Sequence, residues 1–489
     1  VSPRPLAART FASLANPNYR RYFSGQAISL VGTWMQTVAQ SWLVLTLTGS
    51  GTALGLIVAL QFLPVLLLAP YGGVIADRVP KRRLLLATQS ALALLALTLG
   101  LLTLFHAVRL WEVAAVALGL GLVNAFDNPA RQAFVLEMVG TERLRNAVSL
   151  NSVLVNAARA VGPAVAGVLI ATVGVGICFM VNAVSYVAVL ASLATLEVAR
   201  LHAGRPVIRA RGQLRAGLRY VRSTPALAVP LIMMGVIGML AYEFQVVLPV
   251  VARQTFHGGP GAYGLMTAAM GVGAVAGGLV VAGHARTGVR PLVLAAGAFG
   301  VVILAAAAAP TLGLEIAALV LVGAASVSFL AVGNTTLQLA SAPEMRGRVM
   351  ALWAVAFLGS TPLGGPIAGL VAEHAGPRWG LVLGGVAALT AAGVGALLLA
   401  RGGGSMRRHG REPGLLVAPE PAEGSELPVA LAEPVLTGSG SPRRVRSVPE
   451  APGASGAAAC SGAAAAPRAG SRPGSAPHRP SRRSTAARS

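Results

Sequence analysis

The sequence predicts an all-α membrane protein of twelve transmembrane helices, arranged as two bundles of six. Three observations carry this. Twelve apolar stretches fill the chain from about residue 25 to 400, and a helix needs roughly 20 apolar residues to cross a hydrocarbon core about 30 Å thick. Composition is skewed the same way: 55% of residues are hydrophobic and 11% charged, against roughly 45–50% and about 25% in a soluble domain. A hydrophilic link, residues 197–223, carries seven arginines from Arg200 to Arg222 and divides the stretches six and six.

The elements run in this order. Residues 1–24 form a basic lead-in with Arg4, Arg9, Arg20 and Arg21, in which Tyr19, Tyr22 and Phe23 suit a membrane interface. No small-residue cleavage site follows a short apolar run, so the first span is expected to be retained. Spans 1 to 6 are predicted at 25–47, 53–76, 84–105, 111–131, 147–173 and 174–196, together the first bundle, 25–196. The second bundle, 224–400, holds spans at 225–250, 261–284, 291–309, 313–334, 349–373 and 378–400. Residues 401–489 are rich in Gly, Ser, Pro, Ala and Arg, with too few large apolar side chains for a core, and are expected to be a disordered tail.

The net charge of +23 raises the possibility of nucleic-acid binding, but no motif for it is present. With the N-terminus inside and the spans alternating, 22 of the 26 basic residues in 1–400 fall on the cytoplasmic side. Arg109, Arg253 and Arg378 fall outside, and Arg159 lies within a span. Short Lys- and Arg-rich loops stay cytoplasmic, so both termini are expected there, with anionic lipid headgroups as partners of the basic loops. Cys178 and Cys460 would lie on opposite sides of the membrane, which disfavours a structural disulfide. There is no metal-ligand cluster, nucleotide-binding Gly-rich loop or catalytic triad, so neither an enzyme nor a cofactor is expected.

An internal repeat supports the two halves. Asn128-Pro-Ala-Arg-Gln132, a charged loop, then Gly162-Pro163 and Gly167 recur as Asn334-Thr-Thr-Leu-Gln338, a charged loop, then Gly365-Pro366 and Gly369. The offset runs from 206 down to 202. Parallel six-span halves around a central site are one plan for transporters.

Between spans 2 and 3 the chain reads Gly73-Val-Ile-Ala-Asp77-Arg78-Val-Pro-Lys81-Arg82-Arg83. This resembles the loop signature of the major facilitator superfamily, with Gly73, Asp77, Arg78, Arg82 and Arg83 on its positions and Pro80 in place of a second glycine. Gly73 permits close helix packing, Asp77 suits a helix N-terminus, and Arg78 can pair with a carboxylate. The group is expected to gate one face of the protein. The matching loop in the second half, His284-Ala-Arg286-Thr-Gly288, keeps only Arg and Gly. The stretches Asn18 to Gly25, Gly32 to Gln36, Trp42 to Ser50 and Asp127 to Gln132 resemble the drug–proton antiporter group that includes enterobactin exporters. That resemblance, over about residues 10 to 400, implies the major facilitator fold and proton-coupled export of a small molecule. Arg159 to Gly167 is similar to the exporters' Gly-Pro antiporter motif, so Gly162, Pro163 and Gly167 are expected to pack and bend a helix.

Ionisable residues within spans are costly and therefore candidates for function. Arg159 stands near the middle of span 5, three residues after Asn156 on one helical face. It could bind an anionic group of a substrate, hold a proton-carrying carboxylate, or form a structural pair. Glu243 in span 7 is the carboxylate best placed for proton coupling, with an interfacial, hydrated glutamate as the alternative. Asp127 stands four residues before Arg131, so a local ion pair is expected, with Arg78 as its other possible partner in the gate. Glu315 reads as an acidic cap at the start of span 10. Gln36 and Gln40 share one face of span 1 and either touch substrate or make interhelical hydrogen bonds.

The function expected is export of an amphipathic small molecule, drug-like or siderophore-like, across a bacterial plasma membrane by proton antiport. The alternatives are an importer or lysophospholipid flippase of the same fold, and a non-transporting receptor or scaffold acting through the basic tail.

Overall fold

The computed structural model describes residues 11–202, 213–283 and 287–408. Arg4 and Arg9, the middle of the basic link, His284 and Arg286, and the tail beyond Arg408 with Cys460 lie outside the described residues.

Local signals set each helix. Asn16 accepts hydrogen bonds from the backbone N–H groups of Asn18 and Tyr19 and, with Pro17 in the first turn, starts α1, Pro17–Thr48. Gly49, at φ 66°, ends it in the left-handed conformation that favours glycine. Ser50 then caps α2, Gly51–Arg78. A two-residue turn leads into α3, Lys81–Leu104, where the Pro80 carbonyl accepts from Arg83 and Leu84.

The next helix, α4, runs Leu110–Val173, 64 residues. At 1.5 Å per residue that is roughly 96 Å, about three times the hydrocarbon thickness, so it is not one crossing. The chain folds back at Gly140, whose φ of 70° lies outside helical space. The ring of His202 packs over Gly140, and the His202 N–H donates to the Glu137 carbonyl. Helix α5, Val175–Ala194, completes the first group.

The second group begins with α6, Gln213–Ser223, then α7, Pro225–Leu240, and α8, Phe244–Val250, which continues as a π-helical turn to Thr255. Helices α9 (Pro260–Gly283), α10 (Val289–Ala307) and α11 (Leu312–Ala340) follow. The last are α12 (Pro343–Leu358), α13 (Thr361–His374) and α14 (Pro377–Arg408). Two predicted spans are therefore interrupted: α7 and α8 are separated by Ala241–Glu243, and α12 and α13 by Gly359–Ser360.

Among the described residues, ten helical segments are long and apolar enough to cross a membrane. Helix α1 is not among them because Gln26, Gln36, Gln40 and its hydroxyl side chains dilute its apolar run. With α1 added and α4 divided at Gly140, the fold is compatible with twelve passes. Large apolar side chains point outward around the bundle, including Leu279, 71% exposed, and Leu294, 74% exposed, as a lipid-facing surface requires.

In the first group α1 packs on α4 and α5, α3 on α5, and α2 on α4; in the second, α9 packs on α11, and α10 on α11 and α14. The two groups meet along α2–α13 and α4–α9. Both seams are lined with glycine. A methyl group on Gly51 would lie 2.9 Å from the Gly369 carbonyl oxygen, and one on Gly365 3.1 Å from the Gly55 oxygen. On the other seam, a methyl on Gly264 would lie 2.6 Å from the Pro163 oxygen. Backbone-to-backbone packing of this closeness leaves no room for larger residues.

One sequence expectation is corrected. Tyr19 and Tyr22 do not face outward: they are 1% and 2% exposed, because the first turns of α1 pack inside the bundle, where the Tyr19 hydroxyl donates to the Ala147 carbonyl at 2.9 Å. Helix α1 starts at Pro17, ahead of the predicted span, and α14 continues to Arg408 beyond an apolar span of Pro377–Ala400.

Candidate functional site

The first helix group lines a cavity of about 350 Å³, within the usual range for small-molecule sites of roughly 300–1,000 Å³. Its polar wall is built mostly from amides. On α4, Asn124, Asn128 and Gln132 recur every four residues and so share one helical face. On α1, Gln36 and Gln40 do the same, and each is tied to a neighbouring helix. Gln40 donates to Gln61 of α2 at 3.1 Å, and Asn182 of α5 donates to Gln36. Both α1 glutamines thus make interhelical hydrogen bonds while lining the cavity. Leu30, Leu92, Leu120 and Val155 supply apolar wall.

Arg131 reaches the cavity from α4 and pairs with Asp127 one turn earlier. Asp127 is fully buried, and its second oxygen accepts from the Thr88 hydroxyl at 2.7 Å and the Gln89 amide at 2.8 Å. Gln26 accepts from the guanidinium at 3.2 Å, while its Nε is buried without a hydrogen-bond partner. Every partner of Asp127 found here belongs to α3 or α4, so the pair is local, and Arg78 is exposed at the end of α2.

Arg159 extends the face of α4 that carries Asn151 and Val155. Its guanidinium lies over the ring of Trp34, 4.8 Å from the centroid, and its Nε is buried without a hydrogen-bond partner. Asn156 does not bond to it; its amide donates to the Ser152 carbonyl at 2.8 Å.

Glu243 occupies the interruption between α7 and α8 and is 3% exposed, which sets aside the hydrated, interfacial alternative. It faces the interruption between α12 and α13. The start of α13, at Thr361, lies beside it, and a methyl group on Gly364 would lie 2.8 Å from its Oε1. That Oε1 is buried with no hydrogen-bond partner. Two broken helices therefore meet at one carboxylate, beside a helix N-terminus whose dipole favours an anion.

The signature loop makes its visible bonds within the first group. Lys81 pairs with Glu137 at 2.7 Å, and Arg82 donates to the Leu193 and Ala194 carbonyls at 2.7 and 2.8 Å, capping the end of α5. Gly73 is buried, Asp77 is half-buried, and Arg78 and Arg83 are exposed. Gly162 lies against Trp34, Gly167 against Gly264, and Gly365 and Gly369 against α2. Helix α4 continues through Pro163, and α13 through Pro366. Glu315 is 1% exposed with Oε1 unpartnered, and the cap of α11 is the Thr311 hydroxyl.

At the end of the bundle where α1 meets α2, two charged side chains join the groups. The Glu373 carboxylate of α13 accepts from the Ser50 hydroxyl at 2.5 Å and the Thr52 N–H at 2.8 Å. Arg253 donates to the Leu45 carbonyl at 2.6 Å. Sequence reasoning missed these contacts, as well as Gln61, Thr88, Gln89, Glu137 and Thr361. Polar residues isolated in apolar runs, such as Gln61 and Gln89, were the available signal.

Residues 8–409 match the family described as Transmembrane secretion effector. The staphyloferrin A transporter of Staphylococcus aureus is 32% identical over 34% of this chain, a match that spans 42% of that protein. Macrolide efflux protein A of Streptococcus pyogenes is 23% identical over 74% of this chain and 91% of its own. The enterobactin exporter of Citrobacter koseri is 27% identical over 69% of this chain and 81% of its own. Among solved structures, a bacterial homologue of the iron transporter ferroportin covers 78% of this chain and 98% of its own at 15% identity, with a TM-score of 0.62. A bacterial homologue of the lysosomal transporter Spinster covers 81% and 98% at 15% identity, with a TM-score of 0.61. These structural likenesses establish the fold. The chain belongs to the transmembrane secretion effector family of major facilitator transporters.

Proposed function

We propose that this protein exports amphipathic small molecules from a bacterial cytoplasm, exchanging them for protons as two six-helix bundles rock against each other and the cavity of the first bundle holds the cargo. The observation that carries the reading is Glu243. A carboxylate buried in the bundle, short of hydrogen bonds and held where two helices break, is the arrangement that ion-coupled carriers use at midplane sites. Breaks free backbone groups and let short segments move separately, so a proton taken up by Glu243 alters how α8 and α13 pack.

The amide-lined cavity supplies the cargo site, with Gln36, Gln40 and Arg131 at its wall and Arg159 behind it, over the ring of the wall residue Trp34. The named relatives include proteins for staphyloferrin A, macrolides and enterobactin, which supports an amphipathic cargo. The signature loop, through Lys81 and Arg82, holds α3 against α4 and α5 and so keeps the cavity wall rigid while the groups rock. Asp77, Arg78 and Arg83 gate the face on which that loop lies. The excess of basic residues supports a cytoplasmic position for this face and both termini, against anionic lipid.

The test is transport in proteoliposomes. Glu243→Gln keeps the shape of the side chain but holds no exchangeable proton, so it should bind cargo and lose transport driven by a pH gradient. Full retention of pH-driven flux by this variant would sink the coupling role.

A further inference from the structure

We infer that the cavity takes an anionic, oxygen-rich amphiphile and discriminates against organic cations. This rests on the export reading above and adds to it the charge of the cargo.

The charge inventory of the site carries the argument. Among the described residues that line the cavity, the one ionic side chain is Arg131, and there is no carboxylate. Two acidic groups of the first helix group are already engaged. Asp127 sits fully buried behind Arg131 with its oxygens occupied, and Glu137 is paired with Lys81. Glu243 faces Gly364 and Gly365. Asp127 thus neutralises Arg131, whereas Arg159 has no carboxylate within salt-bridge distance among the described residues and rests on the face of Trp34.

A buried cation without a counter-charge is costly, and an arriving anion offsets that cost. Two guanidinium groups, Arg131 and Arg159, also keep a buried Nε–H unpaired. Guanidinium forks match carboxylate-type oxygens in geometry as well as in charge. The amides of Asn124, Asn128 and Gln132 add donors at four-residue spacing, which suits several oxygens along one face of a ligand. An organic cation entering the same site would meet uncompensated positive charge at Arg159.

The test uses the full chain in lipid nanodiscs, with no gradient, at one neutral pH. Two dyes with the same xanthene core are compared by fluorescence anisotropy: calcein, which is anionic and rich in carboxylates, and tetramethylrhodamine ethyl ester, which is cationic. The wild type should bind calcein at least roughly tenfold more tightly, about 1.4 kcal/mol. Arg159→Gln should lose roughly that factor for calcein and none for the rhodamine, while Arg159→Lys, which restores the charge, should recover most of it. Equal or tighter binding of the rhodamine overturns the proposal and leaves the export reading standing. So does unchanged calcein affinity in Arg159→Gln, which would make Arg159 a structural group, or equal loss in the Lys variant. If Arg159→Gln does not fold, the wild-type preference decides alone. Absence of saturable binding by either dye would refute both this proposal and the cavity as a cargo site.

Discussion

Removing the Glu373 carboxylate should loosen one end of the bundle. Glu373 reaches from α13 to the start of α2, where it accepts from Ser50, the capping residue, and from the Thr52 N–H. Arg253 makes the complementary contact at the end of α1. Each charge has the sign that the helix dipole favours, an anion at an N-terminus and a cation at a C-terminus. Loss of an N-terminal cap costs about 0.5–2 kcal/mol, and a surface charge–dipole contact about 0.3–1 kcal/mol. Glu373 is exposed, so screening holds the sum for Glu373→Ala to about 1 kcal/mol, roughly a fivefold change in the balance of closed and open forms. Glu373→Gln keeps an acceptor oxygen and should show about half of that shift. The measurement is the distance distribution between spin labels at Leu47 and Trp379, both exposed at this end, in a background lacking Cys460; Cys178 is fully buried. A distribution unchanged in Glu373→Ala would refute the contact as a latch between the helix groups.

Two other perturbations test the framework. Asp127→Asn strips the counter-charge from a buried guanidinium and should cost about 3–5 kcal/mol of stability, read as a lowered melting temperature in detergent; a cost below about 1 kcal/mol would show that water reaches Arg131. Gly264→Val places methyl groups against the Pro163 carbonyl and Gly167 and should cost about 1–3 kcal/mol. It should also cut transport more than cargo binding, and normal flux at normal expression would mean that α4 and α9 need not approach closely.

Much of this arrangement is written locally in the sequence. The apolar runs foretell where helices lie, and the Gly-Ser pair at 49–50 and the Val-Pro pair at 79–80 foretell the tight turns. The Asp127–Arg131 pair follows from four-residue spacing on one helix. What the sequence hides is pairing between helices. Asn182 bonds to Gln36 from 146 positions away, and Glu373 to Ser50 from 323, and no local pattern records which faces meet. The break at Ala241–Glu243 has no glycine or proline within it, so nothing local announced it. Tyr19 and Tyr22 show the opposite failure: their amphipathic chemistry suits an interface, but the packing of α1 holds both inside, with the Ala147 carbonyl partnering Tyr19.

The glycine seams at α2–α13 and α4–α9 have a mechanical consequence. Interlocked side chains must change rotamer before two helices can slide, and each such change adds to the barrier between arrangements. A joint of backbone against backbone has nothing to unlatch, so its friction is low and its travel is limited only by where the next large residue begins. Within each group, by contrast, buried rings such as Phe134, Phe179, Phe299 and Phe329 key the helices to one another. The same kind of joint recurs inside each half, at Gly121 against the Gln61 carbonyl and at Gly323 against the Met270 carbonyl, so sliding is open to several helix pairs and the buried rings decide which of them stay fixed.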